Sequence, residues 1–430
     1  MDFLMQGMML LTIAAVTVAP YLTSIWALPG TLKFLAEMLS GPAALYVLIA
    51  GTRQSFHLVS AKYWIAFGAL AVVLLCGAIA NGEGPGPVIS GMRYCLRAIP
   101  FFFIPAVYAF KEWQLRQHLR MLTALCLLQV PIAAYQRHSI MATAHYTNAD
   151  AVFGTLGQSG VLSIFLTCAL CLFAAAMLRG RLSRSAFCIL FVLLLIPMSI
   201  NETKVTPIVL PLGLLITFLL GAPAHKRLQT AVGAAAILAV GGAIFVPVFD
   251  YYQAKTAIPY KIGDFLTNTA AFSSYLDTGA RIGSDKEAGR VDAILIPLQE
   301  LSRDPVTSVF GFGLGNASRS SLGPTFTGDY YGIYGRYTRE TSMATFLLET
   351  GVLGAVLILW LHWLVFTDAL FVARHDDGLI GTLALGSVAA IVVTTACLFY
   401  ISLHIVESLS YMFWFYAGVI AATRERMRLG

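Results

Sequence analysis

The sequence predicts an all-α fold: a polytopic membrane bundle of about twelve transmembrane helices, with a long, partly helical outer loop between the ninth and the tenth. Three observations lead there. Of the 430 residues, 58% are hydrophobic and only 12% are charged, whereas soluble domains carry roughly a quarter charged residues. The apolar residues come in repeated runs of about 20, the length that crosses a bilayer. Lys and Arg gather in the short connections on one side, as the positive-inside rule expects. The net charge of +6 therefore reflects topology and not nucleic-acid binding.

Taken in order, the first two spans cover 5–28 and 31–51, with Pro20 and Pro42 inside them as expected kinks. Arg53 and Lys62 mark an inner loop before the third span, 63–81, which ends in the breaker cluster NGEGPGP. The fourth span, 93–110, opens with Arg93 and Arg97, four residues apart on one helix face. Two readings stay open for them: snorkelling to outer headgroups, or a cationic site for a lipid phosphate. Lys111, Arg116 and Arg120 place the next loop inside. The fifth span, 119–136, then leads to an outer loop with Arg137, His138 and His145. No carboxylate or Cys at metal spacing accompanies those histidines, so they read as polar loop residues.

The sixth span, 158–178, is followed by Arg179, Arg181 and Arg184 on the inner side. The seventh and eighth, 185–200 and 205–222, are joined by the tight turn NETKV. There Glu202 and Lys204 form either a local ion pair, worth little if exposed, or place a cation toward a cavity. The scarcity of charge at this depth favours the cavity. The ninth span is 228–248 and the outer loop runs over 249–340. Within the loop, Ile262, Phe265, Leu266, Phe272 and Leu276 follow helical spacing. So do Val291, Ile294, Leu295, Leu298 and Leu301, with Pro297 expected to bend or break that helix. Such segments suit the membrane surface, a cap on the bundle, or a lid packed on itself. The last spans are 342–366, 379–402 and 408–422. A basic tail then places both termini in the cytoplasm. This divides the chain into helices 1–9 over 1–248, the loop over 249–340, and helices 10–12 over 341–430. Cytoplasmic segments then hold 14 of the 28 Lys and Arg, and the long loop holds nine of the remainder.

The seven cysteines all lie in apolar runs, so no disulfide framework is expected, and Cys168 and Cys171 read as packing residues. No basic region precedes the first apolar run, so no signal peptide is expected. GFGLG at 311–315 lacks the strand-to-helix context of a nucleotide loop and reads as a sharp turn. No metal cluster or cofactor motif is evident. What remains on the outer side is a set of charges: Arg93, Arg97, Lys204, Arg281, Arg290, Arg336, Arg339, Glu202, Glu340 and Glu349. Guanidinium groups hold phosphate oxygens in pairs and Lys acts as a point charge, while a carboxylate among them serves as a base toward a hydroxyl. That combination suits a lipid-pyrophosphate substrate.

Several of these stretches resemble the O-antigen ligase and Wzy-type polysaccharide polymerase superfamily, over roughly 150–365. FGTLGQSGVLSIFL is similar to a family helix entry, and SINETKVTPIVLPLG to its Ser-Arg turn, with Lys204 where an Arg is common. Gly289-Arg290, Asp304-Pro305 and GFGLG resemble the family loop, and ETSMATFLLETGVLG, 340–354, the segment that follows it. The resemblance implies an inverting, metal-independent glycosyltransferase in the bacterial inner membrane. It would act on an undecaprenyl-pyrophosphate-linked oligosaccharide at the periplasmic face. Its partners would be the bilayer and, in the polymerase setting, a chain-length regulator and a flippase. The family's loop histidine aligns with Glu340 and its Asn with Thr341. That departure favours a polymerase of exopolysaccharide, capsule or O-antigen over a ligase, with Glu340 as catalytic base. Arg290, Lys204, Arg336, Arg339, Arg97 and Arg93 would then bind pyrophosphate, with Glu349 and Glu202 in support. The rivals are a ligase that moves finished glycan to another acceptor, and a lipid-linked-sugar flippase or other transporter. A transporter would be expected to show paired repeats, and the chain has none in its sequence.

Overall fold

The computed structural model describes residues 2–25, 30–54, 56–143, 151–255, 261–282 and 287–429. His145 lies outside them. The described chain is all-helical, with no strand.

The helices follow the apolar runs. They are α1 (Asp2–Ile25), α2 (Leu35–Gln54), α3 (Ala61–Ala80), α4 (Pro85–Leu96), α5 (Ile99–Val107), α6 (Glu112–Thr143), α7 (Ser159–Leu178), α8 (Arg184–Ile200), α9 (Thr206–Gly221) and α10 (Arg227–Gln253). The loop contributes α11 (Ile262–Thr267), α12 (Thr269–Leu276), α13 (Asp292–Leu301), α14 (Pro305–Phe310) and α15 (Tyr331–Glu340). The chain closes with α16 (Ser342–His375), α17 (Leu379–Cys397) and α18 (Glu407–Leu429). Eight described helices are long and apolar enough to cross a membrane, which makes the chain a multi-pass helical membrane protein. The expected twelve exceeds that number. Arg184–Ile200 and Thr206–Gly221 are apolar but shorter, and the expected fourth span is broken in two at Arg97 and Ala98. Pro100 explains the break: it has no N–H to offer the Leu96 carbonyl, so the helix cannot run through.

The fifth span also differs. α6 runs on to Thr143, so Arg137 and His138 are helical and not in a loop. The signal that hid this is polarity. Gln129, Gln136 and Arg137 look like a helix leaving the membrane, yet all three are buried. Gln129 donates to Thr155 Oγ1 and Gln136 to the Gly154 carbonyl, each within 2.9 Å. Their carbonyls in turn accept the N–H groups of Thr155 and Gly154. The polar face of α6 thus holds the entry to α7 in place, which satisfies groups that would otherwise be orphaned in an apolar medium.

α7, α16 and α17 form the centre, with α9 and α18 packed around them. Both described chain ends reach one face. Asp2 lies against Tyr108 and Lys111, and at the other end Arg426 donates to the Pro105 carbonyl at 3.0 Å. Arg424 and Lys62 both pair there with the buried Asp368.

In the loop, α13 continues through Pro297, which sits in the helix without ending it. Its buried side, Ala293, Ile296 and Leu301, packs on α14, α15 and α16. The segment caps the bundle. α11 buries Ile262 and Phe265 and packs on α10 and α12.

Candidate functional site

α16 begins at the face opposite the chain ends. Thr341 caps it, accepting the Ala344 N–H at 3.0 Å, and the preceding residue is the last of α15. That residue, Glu340, meets Arg290, which stands at the entry to α13. The Arg290 guanidinium pairs with the Glu340 carboxylate and also donates to its main-chain carbonyl at 3.1 Å. Below it lies the Tyr400 ring, 5.1 Å from the guanidinium carbon. The Tyr400 and Tyr275 hydroxyls are 2.9 Å apart, and the Tyr275 ring lies 4.4 Å from Lys204 Nζ. The Phe265 ring, packed edge-on against Tyr275, lies 5.3 Å from the same ammonium. Three residues read from separate stretches, Lys204, Arg290 and Glu340, are therefore joined by a pair of tyrosines. Both ring faces attract cations. Burial works against the Arg290 charge, but Tyr275 and Glu340 outweigh it and hold its pKa above the ordinary value.

The loop beside Arg290 is fixed by Asp292, which sequence reasoning passed over. Its carboxylate accepts the Thr278 N–H and hydroxyl at 2.8 Å and the Gly289 N–H at 3.0 Å. Burial favours its neutral form, but these hydrogen bonds prevail and hold its carboxyl below the usual range. Tyr275 and Tyr400 were likewise missed. Tyr275 falls on the amphipathic 262–276 stretch, where apolar spacing drew attention away from it. Tyr400 sits just past α17 with no local signal at all.

The other charges lie elsewhere. Arg336 is on α15, one turn before Glu340, and Arg339 turns back to donate to the Gly335 carbonyl at 3.2 Å. Arg93 and Arg97 do share a face, but what they face is protein. Arg93 pairs with Glu37 at 2.5 Å, and Arg97 with Glu37 at 2.8 Å and Glu407 at 2.9 Å. Arg97 also donates to the Ile405 carbonyl at 2.8 Å. A phosphate there would have to displace two carboxylates. The segment after α17 links this cluster to the first, because Ser402 Oγ donates to the Thr338 and Arg339 carbonyls and His404 Nδ1 sits 3.1 Å from Ser342 Oγ. Burial, and then the Arg97 charge, push the His404 imidazole down to about 3, so it stays neutral.

Glu202 does not pair locally with Lys204. It meets Arg137 of α6 in an ion pair whose side chains are 0% and 2% exposed. Lys204 lies against the Tyr275 and Phe265 rings.

The glycine loop is a turn, as expected. Gly311, Gly313 and Gly315 all have positive φ, at 73°, 97° and 82°. Alternating backbone of this kind makes a concave set of N–H groups that favours an anion. Here the group that lies against it is internal: the buried Glu349 carboxyl sits beside Gly315, Ala317 and Ser318. Glu349 thus anchors the loop to α16 and does not face Arg290. Glu83, just past α3, sits against Gly313. Burial, then the Glu349 charge, push its carboxyl up to about 8 against the pull of the Asn316 amide.

Among the described residues no group of three or more His, Cys, Asp and Glu clusters as a metal site, and all seven cysteines are free. Comparison with protein-family models and with characterised proteins finds no match to the chain.

Proposed function

We propose that the chain is a glycosyltransferase, a polysaccharide polymerase. It moves a growing glycan from undecaprenyl pyrophosphate to a sugar hydroxyl of the next lipid-linked repeat unit. The face bearing Lys204, Arg290 and Glu340 would be periplasmic, and the bilayer the bacterial inner membrane. The observation that carries the reading is the convergence of two cations and one carboxylate, from three separate segments, around the Tyr275–Tyr400 pair. The family-like motifs of the sequence supply the substrate class.

The chemistry follows from those groups. The acceptor hydroxyl oxygen attacks the anomeric carbon from the side opposite the pyrophosphate. The bond from that carbon to the pyrophosphate oxygen breaks, and its electron pair leaves with the lipid carrier. Arg290 and Lys204 balance the charge that develops on the leaving oxygen, a contribution that counts most where water is excluded. Glu340 takes the hydroxyl proton, which requires that Arg290 release it to the incoming phosphate. The configuration at the anomeric carbon inverts. The bond to pyrophosphate supplies the driving force, so no nucleotide enters the reaction.

The test is reconstitution: purified protein, a lipid-pyrophosphate-linked repeat unit, no nucleotide and no added metal, with products resolved by length. A ladder of products that disappears with Glu340→Gln supports the proposal. A ladder that survives it keeps the activity and removes Glu340 as base. Failure to extend the cognate unit overturns the polymerase reading.

A further inference from the structure

We propose that the face carrying both chain ends holds a phospholipid with an anionic headgroup, seated between α6, α7, α8 and α17 on Arg116, Arg120 and Arg181. A crevice of about 260 Å³ opens there. Its walls are apolar, with Leu119, Phe173, Leu182, Leu190 and Leu383 among them, and its rim carries those three arginines. Arg116 and Arg120 are four residues apart on α6 and so share a face, while Arg181 comes from the turn after α7.

The charges at the rim do not balance. Glu112 pairs with Arg116 at 2.7 Å and reaches Arg181 at only 4.0 Å. Arg120 has no hydrogen-bond or ion-pair partner among the described residues. The nearby Asp377 carboxylate is taken by Arg179, and Arg181 reaches only its main-chain carbonyl, at 3.3 Å. Three cations therefore face one carboxylate over an apolar floor. A soluble anion would leave that floor without a partner, and a neutral lipid would leave the guanidinium groups without one. An amphiphile with a phosphate head uses both, since basic pockets between helices are the usual seats of anionic headgroups and guanidinium groups hold phosphate oxygens bidentately. The crevice also continues inward. Leu122 and Leu172 line it and line a second cavity of about 80 Å³ as well, walled by Phe165, Leu409 and Met412. An acyl chain thus has a path toward the centre of the bundle.

This site is separate from the proposed catalytic one. α17 starts at the crevice with Leu379 and Leu383 and ends beside Tyr400. The test reads binding and not turnover, so it stands or falls independently. Purified full-length protein, stripped of lipid in detergent, is mixed with phosphatidylglycerol or with phosphatidylcholine of the same acyl chains. Melting temperature and lipid retained in native mass spectrometry are then recorded. Phosphatidylglycerol at saturation should raise the melting temperature by about 4 °C, the shift expected for a ligand well above its Kd, and should be retained one per protein. Arg120→Gln with Arg181→Gln should remove most of both effects, and Arg120→Gln alone should remove part. Arg303→Gln, a surface change in the α13–α14 connection, should remove neither. An equal response to phosphatidylcholine, an undiminished response in the double variant, or the same shift with glycerol 3-phosphate would each overturn the proposal.

Discussion

Arg290 holds Glu340 twice, through its carboxylate and through its main-chain carbonyl at 3.1 Å. One guanidinium thereby fixes both the last residue of α15 and the direction in which the chain enters α16. Removing the fork should cost more than removing a charge. We expect Arg290→Ala to lower chain elongation about 100-fold, the equivalent of one charge-assisted contact of about 2.7 kcal/mol. Arg290→Lys keeps the charge but offers no planar fork, so it should fall between Ala and wild type. Elongation rates with lipid-linked repeat units, at matched protein in the membrane, check this. Wild-type rates in Arg290→Ala would remove the residue from the site.

The Arg137–Glu202 pair leads to a stability prediction. Both side chains are almost wholly enclosed, so deleting one of them takes the opposite charge of this ion pair away from a buried group. Glu202→Gln or Arg137→Met should each destabilise by about 3–5 kcal/mol. Changing both together, to Arg137→Met and Glu202→Leu, should recover much of the loss, because paired apolar replacements remove both desolvation costs. Melting curves of the two single variants and the double decide it, and additive losses would mean the two residues act separately.

Glu83 gives a pH dependence with a definite sign. Its carboxyl titrates at about 8 in the folded chain against an ordinary 4.5. The folded state therefore holds a proton that the unfolded state has lost across that interval. Stability from this group is fully present below the lower value and is lost as pH rises through the upper one. The melting temperature of wild type should fall between about pH 5 and about pH 9, and Glu83→Gln should flatten that fall. Parallel profiles for the two proteins would show that Glu83 does not control it.

The helical membrane class was legible in the sequence because apolar runs and breakers act locally. Span boundaries failed where polarity is used inside the bundle. Arg137 reads as a loop residue until Glu202, distant in sequence, is known to neutralise it. For the site, Lys204, Arg290 and Glu340 could be singled out because charge is scarce. Their joining through Tyr275 and Tyr400 could not, since neither tyrosine differs in pattern from its neighbours. Glu349 was visible as a costly carboxylate, but its position against Gly315, Ala317 and Ser318 is set by the fold and not by any local pattern. The same holds for Arg93 and Arg97, whose shared face was evident and whose carboxylate partners were not.

The kink in α16 provides the last prediction. Gly351, with φ 67° and ψ −174°, interrupts the helix, and Gly311, with φ 73°, faces it. A Cβ on Gly351 would lie 2.2 Å from the Val309 carbonyl oxygen, and one on Gly311 would lie 2.6 Å from the Gly351 nitrogen. Both obstacles are backbone atoms, so neither can swing aside. The close approach is needed because Phe312 donates its N–H to the Leu348 carbonyl at 2.6 Å, one of the groups that the kink exposes. Gly351→Ala therefore faces a backbone strain of about 1–3 kcal/mol and also loses the docking of the 311–315 loop on Glu349. We expect it to melt lower than wild type and to lose elongation even at temperatures where it is folded. Gly332→Ala, where a Cβ meets nothing within 4 Å, should change neither. The two losses separate the causes. A variant that melts lower but elongates normally when folded would mean that the kink serves stability alone. A variant that loses elongation with its melting temperature nearly intact would tie the loop's position to the Arg290–Glu340 site through the first turns of α16.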